Sequence, residues 1–241
     1  MDVEQLVDNS RPFLAWLGHW VNGRPALSLA EVVAKAGGPQ HVAVLATDVI
    51  VGFCSEGALA SERVGGIVPP IVRLFQDAHR LGVRHFVLTQ DTHSENAIEF
   101  GSYPAHCVRG SAESETVPEL KGLPFSDLFV VMPKNSINPA MGTGLDDWLA
   151  AHSEVTTFIV TGDCTDICVH QLSLHVRVRA NAHDVPGVRV IVPIDCVDTY
   201  DLPVDVAVEQ DIMPHPADIL HHVFLHSLAL NGVEVVARLE G

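Results

Sequence analysis

Five short runs dominated by Val, Ile and Leu punctuate the chain: HVAVLAT (41–47), VRHFVLT (83–89), LFVVM (128–132), VTTFIV (155–160) and VRVIVP (188–193). Their hydrophobicity is nearly continuous, which is the pattern of strands covered on both faces. Between the first two, VGGIVPPIVRLFQDAHRLG sets Ile71, Leu74, Phe75, Ala78 and Leu81 at helical spacing and stops at Gly82, completing a β-α-β unit. A further helical pattern, CVHQLSLHVRVRA, follows the fourth run, and another spans Pro216 to about Leu230, ahead of a last candidate strand, VEVVARL (233–239). The expected architecture is a single-domain α/β fold, a doubly wound, mostly parallel, Rossmann-like sheet with helices on both faces. Residues 1–40 carry GHW, NGRP and AGGPQ punctuation around one short helical pattern, SLAEVVAKA, and read as an N-terminal appendage to a core of residues 41–241.

Composition narrows the function classes. A chain of 241 residues, 47% hydrophobic, supports one sizeable core. Its formal net charge of −16 is spread along the chain and disfavours nucleic acid and anionic membranes as partners, since both need a Lys/Arg face. The start, MDVEQLVDNSRPFLAW, has acids where a secretory signal needs positive charge, and no run approaches about 18 apolar residues, so a soluble, cytoplasmic protein is expected. The five cysteines, Cys54, Cys107, Cys164, Cys168 and Cys196, are odd in number and irregularly spaced, which predicts reduced thiols.

In open α/β sheets ligands gather beyond the carboxyl ends of the strands, so polar residues directly after the apolar runs are the candidates. These are Asp48, then Asp91 with His93, then Lys134, then GDCTDIC (162–168). Cys168 opens a helical stretch, where unpaired N–H groups and the helix dipole favour a thiolate and could hold an oxyanion. A thiol also needs a base or a cation, and Asp48 and Lys134 supply one of each. Taken singly, Cys168 reads as a small buried hydrophobe, Asp48 as a cap and Lys134 as a surface group. Their placement at three strand ends reverses that reading.

The loop DTHSENAIEFGSYPAHC adds a second cluster: Asp91, His93, Glu99 and His106. Two imidazoles and two carboxylates suit Zn²⁺, Fe²⁺ or Mn²⁺ and leave positions for water or substrate. Glu95 is an alternative to Glu99. His79, His85 and His170 are assigned to packing, as is the pair His221–His222.

The segments ATDVIVGFC around Asp48, SYPAHCVRGSAESETVPEL around His106, KNSIN after Lys134, GDCTDICV around Cys168 and HPADILHHV near the C-terminus occur in one order. With them the chain resembles the isochorismatase-like cysteine hydrolase superfamily over roughly residues 41–240, and within it the plant-type nicotinamidases. The resemblance implies a catalytic triad of Asp48, Lys134 and Cys168, and an oxyanion hole from the backbone N–H groups of Cys164 and Cys168 beside a cis peptide. It also implies a divalent metal, zinc first, with iron or manganese as alternatives, on Asp91, His93 and His106 with Glu99 as fourth ligand. The implied reaction is hydrolysis of a small amide, nicotinamide, through a Cys thioester in NAD salvage. Relatives are commonly dimers or larger, so a homo-oligomer is expected. Two departures bear on the pocket. Ile50-Val51 replace polar residues common in nicotinamidases, and Tyr103 replaces a Trp of many bacterial members, leaving Tyr103 and Phe53 as the expected aromatic wall. The competing expectations are a hydrolase of another small amide or ureide, and a metal- or ligand-binding relative without turnover.

Overall fold

A computed structural model describes residues 2–241. Its main sheet is built from β2 (Val42–Thr47), β3 (His85–Asp91), β4 (Phe129–Lys134), β5 (Thr157–Asp163), β6 (Arg189–Pro193), the short β7 (Val197–Asp198) and β8 (Glu234–Val236); a small sheet pairs β1 (Ala26–Ser28) with β9 (Arg238–Glu240). The helices that cover them are α1 (Val3–Asn22), α2 (Leu29–Ala36), α3 (Val51–Cys54), α4 (Glu62–Gly65), α5 (Val68–Arg80), α6 (Pro118–Lys121), α7 (Leu145–Ala151), α8 (Cys168–Ala182), α9 (Val204–Glu209) and α10 (Ala217–Leu230). The strands of the main sheet run in the order β4-β3-β2-β5-β6-β8, with β7 beside β5, and every pairing is parallel. The expected doubly wound α/β architecture is present.

Alternate residues of each central strand feed two cores. Val42, Val44 and Ala46 of β2 face α5 through Ile71, Leu74, Phe75 and Ala78, while Ala43 and Leu45 face α7, α8 and α10 through Trp148, Leu172 and Leu225. Burial on both sides explains why these strands read as unbroken apolar runs. The sheet order reverses between β2 and β5. At that switch point Gly162 has φ +114°, and a side chain on it would run into the Thr47 carbonyl oxygen of the neighbouring strand. Only glycine lets the two strand ends approach this closely.

Several expectations need correction. β4 is an edge strand, not a strand covered on both faces: Val130 and Val131 are 40% and 47% exposed, and Pro133, which has no N–H to donate, stands on the open edge. The last candidate strand divides, with β8 in the main sheet and β9 turned aside to pair β1. Residues 1–40 hold a 20-residue helix that the apolar spacing did not reveal. α1 is capped by Asp2, whose side chain accepts from the Glu4 N–H, and it docks on α10, where Phe13, Trp16 and Trp20 surround the His226 ring at 5.2–6.0 Å. α2, capped by Ser28, places Leu29 and Val33 in the core beside α5. Among the described residues, no helix is long and apolar enough to cross a membrane.

Candidate active site

Strand register brings the chemistry together. Asp91 and Lys134 are the last residues of β3 and β4 and stand directly opposite one another, while Asp48 follows β2 and Cys164 follows β5 at the switch point. Asp48 sits in the left-handed region at φ 59°, a conformation that Asp tolerates better than bulkier residues, with its N–H donated to the Thr89 carbonyl. The turn aims its carboxylate inward: Oδ1 accepts from the Asp91 N–H at 2.8 Å, and Oδ2 accepts from the Thr47 hydroxyl and from Lys134 Nζ at 2.8 Å. Lys134 Nζ also lies 2.6 Å from Asp91 Oδ1 and 3.6 Å from Cys168 Sγ. Cys168 is the first residue of α8, and its sulfur lies within 4.8 Å of carboxylate oxygens of both Asp48 and Asp91.

All these groups are buried, so their charges depend on one another. Burial, reinforced by the Asp91 charge, raises the Asp48 carboxyl to about 6 against the pull of Lys134. Burial works against the Lys134 ammonium, but Asp48 and Asp91 outweigh it and hold its pKa well above the usual lysine value. Burial pushes the Cys168 thiol well up, with Lys134 opposing. The resting arrangement is therefore a thiol beside an ionised aspartate and a charged lysine. Such a set can move a proton from sulfur to carboxylate on demand.

Asp91 also faces the histidine pair. His93 Nε2 lies 3.4 Å from Asp91 Oδ1, and His106 Nε2 lies 4.0 Å from Asp91 Oδ2. Each ring is oriented by its other nitrogen. His106 Nδ1 is 2.8 Å from the Pro104 carbonyl, which can only accept. His93 Nδ1 is 3.2 Å from Asn135 Oδ1, which also accepts from the Ser94 N–H. Both Nδ1 atoms donate, so in the neutral form of each ring the Nε2 lone pair is directed at Asp91, and His93 Nε2 is buried without a hydrogen-bond partner among the described residues. Two oriented imidazoles, one carboxylate and an orphaned nitrogen fit a divalent metal, with the outer partners fixing each tautomer. The ligand atoms of Asp91, His93 and His106 lie within 4.8 Å of one another. Glu99, on a short turn of 3-10 helix, lines the adjoining cavity but stands outside that group.

A partly open cavity lies over Cys168. Phe53 and Tyr103 both line it, with ring centroids 5.6 and 6.2 Å from that of His106. Leu59, Val64, Ile137, Ile167 and Tyr200 add to the lining, whereas Ile50 is buried outside it, its backbone bridged to Thr116. Tyr200 was not foreseen from sequence. It stacks on His215 at 3.9 Å, and His215 Nε2 bonds Asp166 Oδ2 at 2.8 Å, so one wall is anchored to the turn that carries Cys168. Asp163, at the end of β5 and joined to Cys164 by a cis peptide bond, is a further lining residue that sequence reasoning did not single out. The histidines assigned to packing do pack: His79 stacks on Phe125, His85 meets Trp148 edge-on, His170 bonds Ser227, and His221 bonds Thr165.

A buried carboxylate, ammonium and thiol stand together at the switch point of a doubly wound sheet, the place where open α/β sheets bind their ligands. The isochorismatase domain model matches residues 42–214, and the chain belongs to that family. It is 30% identical to nicotinamidase 1 of Arabidopsis thaliana over 216 residues, covering 82% of this chain and 86% of the relative. Among solved structures it is similar to a cysteine hydrolase from Pseudomonas syringae pv. phaseolicola (TM-score 0.66, 26% identity, 82% and 89% of the two chains covered). A pyrazinamidase of Pyrococcus horikoshii in complex with zinc shares the fold at 21% identity, with TM-score 0.62 and coverage of 81% and 98%.

Proposed function

We propose that this chain is a nicotinamidase, which hydrolyses nicotinamide to nicotinate and ammonia through a thioester on Cys168 and so serves NAD salvage. The observation that carries the reading is the placement of Lys134 Nζ, 2.8 Å from Asp48 and 3.6 Å from Cys168, two residues that line a cavity together with Phe53, Tyr103, Asp91 and His106. Identity to the Arabidopsis nicotinamidase supports the substrate.

In this mechanism Asp48 takes the Cys168 proton, and the thiolate attacks the carboxamide carbon. The backbone N–H groups of Cys164 and Cys168 hold the oxyanion, each such donor being worth about 2.7–4 kcal/mol of barrier by precedent. As the tetrahedral adduct collapses, Asp48 returns its proton to the departing nitrogen and ammonia leaves. Water then adds to the thioester with Asp48 again as base, releasing nicotinate and the thiol. Lys134 stays charged throughout and offsets the negative charge that passes between oxygen and sulfur. Asp91, His93 and His106 would hold a divalent metal, zinc first, whose chemistry is to bind a ring nitrogen and lower the pKa of bound water. Phe53, Tyr103 and Tyr200 pack on a planar ring.

Ammonia release from nicotinamide by the purified chain, before and after chelation, tests substrate and metal together. Turnover that fails on chelation and returns with zinc is the expected outcome. A chain inert on nicotinamide but active on another small amide or ureide would move the assignment to that substrate, a second reading favoured by the additional carboxyl of Asp163 in the cavity lining.

A further inference from the structure

We propose that Asp163 is a substrate-contacting residue, its carboxyl hydrogen-bonding the amide group of the bound small amide and setting a preference for amides over ketones of the same shape. Asp163 is 1% exposed, ends β5 one residue before Cys164, and lines the same cavity as Asp48, Cys164 and Cys168. Oδ2 is buried with no hydrogen-bond partner among the described residues, and Oδ1 accepts only a long contact from the Cys164 thiol at 4.0 Å. A buried polar atom left this way costs about 1–3 kcal/mol, so it calls for a partner from within the cavity. Phe53, Leu59, Val64, Ile137 and Ile167 have no side-chain donor or acceptor to offer.

The surroundings fix the form of the group. Burial, then the charges of Asp48 and Asp91, push its carboxyl well above the usual range, against the pull of Lys134. The neutral acid presents one O–H donor and one carbonyl acceptor, where a carboxylate would only accept. With the substrate carbonyl directed at the backbone N–H groups of Cys164 and Cys168, the amide NH₂ is the part left for the Asp163 carbonyl. A methyl ketone keeps the carbonyl and loses that donor. Sites that pair a substrate N–H reject analogues lacking it, because their own polar group is then stranded.

Resting on the reading of this cavity as an amide site, the test uses the Cys168→Ala protein, which binds without turnover. Dissociation constants are measured for nicotinamide and for the methyl ketone of the same pyridine ring, with Asp163, Asp163→Asn and Asp163→Leu. Asp163→Leu is expected to weaken the amide about tenfold and the ketone less than about threefold, with Asp163→Asn, which keeps a donor and an acceptor, near the parent on both. Equal losses on both ligands, or none, overturn the proposal. If the parent chain hydrolyses a different amide from an ammonia-release panel, nicotinamide fails as substrate while Asp163 is tested with that amide and its methyl ketone. A chain that hydrolyses no amide overturns both readings.

Discussion

Lys134 Nζ is held 2.6 Å from Asp91 Oδ1, and Asp91 is also the carboxylate faced by His93 and His106. One side chain thus joins the ion pair beside Cys168 to the two imidazoles. Asp91→Asn is expected to lose on both sides: weaker metal retention and a lower melting temperature. Breaking a buried ion pair costs about 3–5 kcal/mol, which for a chain of this size corresponds to a drop on the order of 10 °C. Metal content and thermal unfolding of the variant check this, and a variant with parental values in both would contradict the linkage.

The Asp48 carboxyl, raised by burial to about 6, is expected to set the acid limb of the pH profile. Only the ionised form accepts the thiol proton, so kcat/KM should rise with pH through about 6 and level off above it. Asp48→Asn removes the base. It should cost about 10²–10⁴-fold in rate and abolish that limb. A profile flat from pH 5 to 8 in the parent would argue against Asp48 as the proton acceptor.

Asn135 fixes the His93 tautomer from the far side of the ring. Asn135→Ala should weaken zinc binding about 10–100-fold, the usual cost of losing such an outer partner, without slowing alkylation of Cys168. Titration against a chelating dye measures the first and iodoacetamide labelling the second. Unchanged zinc affinity would show that His93 needs no such support.

Much of this site could be read from sequence because it lies where unbroken apolar runs stop. Asp48, Asp91, Lys134 and Cys168 each mark the end of a strand or the start of a helix, and parallel pairing then brings those ends together. What escaped reading depends on non-local packing. The Val-rich run of β4 does not reveal that no strand pairs its outer side. α1 exposes much of its apolar surface and finds its partner, α10, at the other end of the chain. β1 and β9 are three residues each and are defined by one another. Asn135, His215 and Asp163 are ordinary residues until the fold places them against His93, Asp166 and the cavity. For Asp163 and Asp166 the available signal was their position inside GDCTDIC.

Gly162 carries the close approach of β5 to β2. Gly162→Ala adds a Cβ against the Thr47 carbonyl at a φ that L residues rarely adopt, and should destabilise by at least about 1–3 kcal/mol while displacing Asp48 and Cys164. Urea unfolding is expected to show a lower midpoint at unchanged slope. A parental midpoint would mean that the strand ends separate freely.

Cys168 is expected to become acylated during turnover. Protein quenched in acid during turnover of nicotinamide, digested and examined by mass spectrometry, should carry one nicotinoyl group on the peptide containing Cys168, and Cys168→Ala should carry none and release no ammonia. An unmodified Cys168 peptide together with full turnover by Cys168→Ala would contradict it.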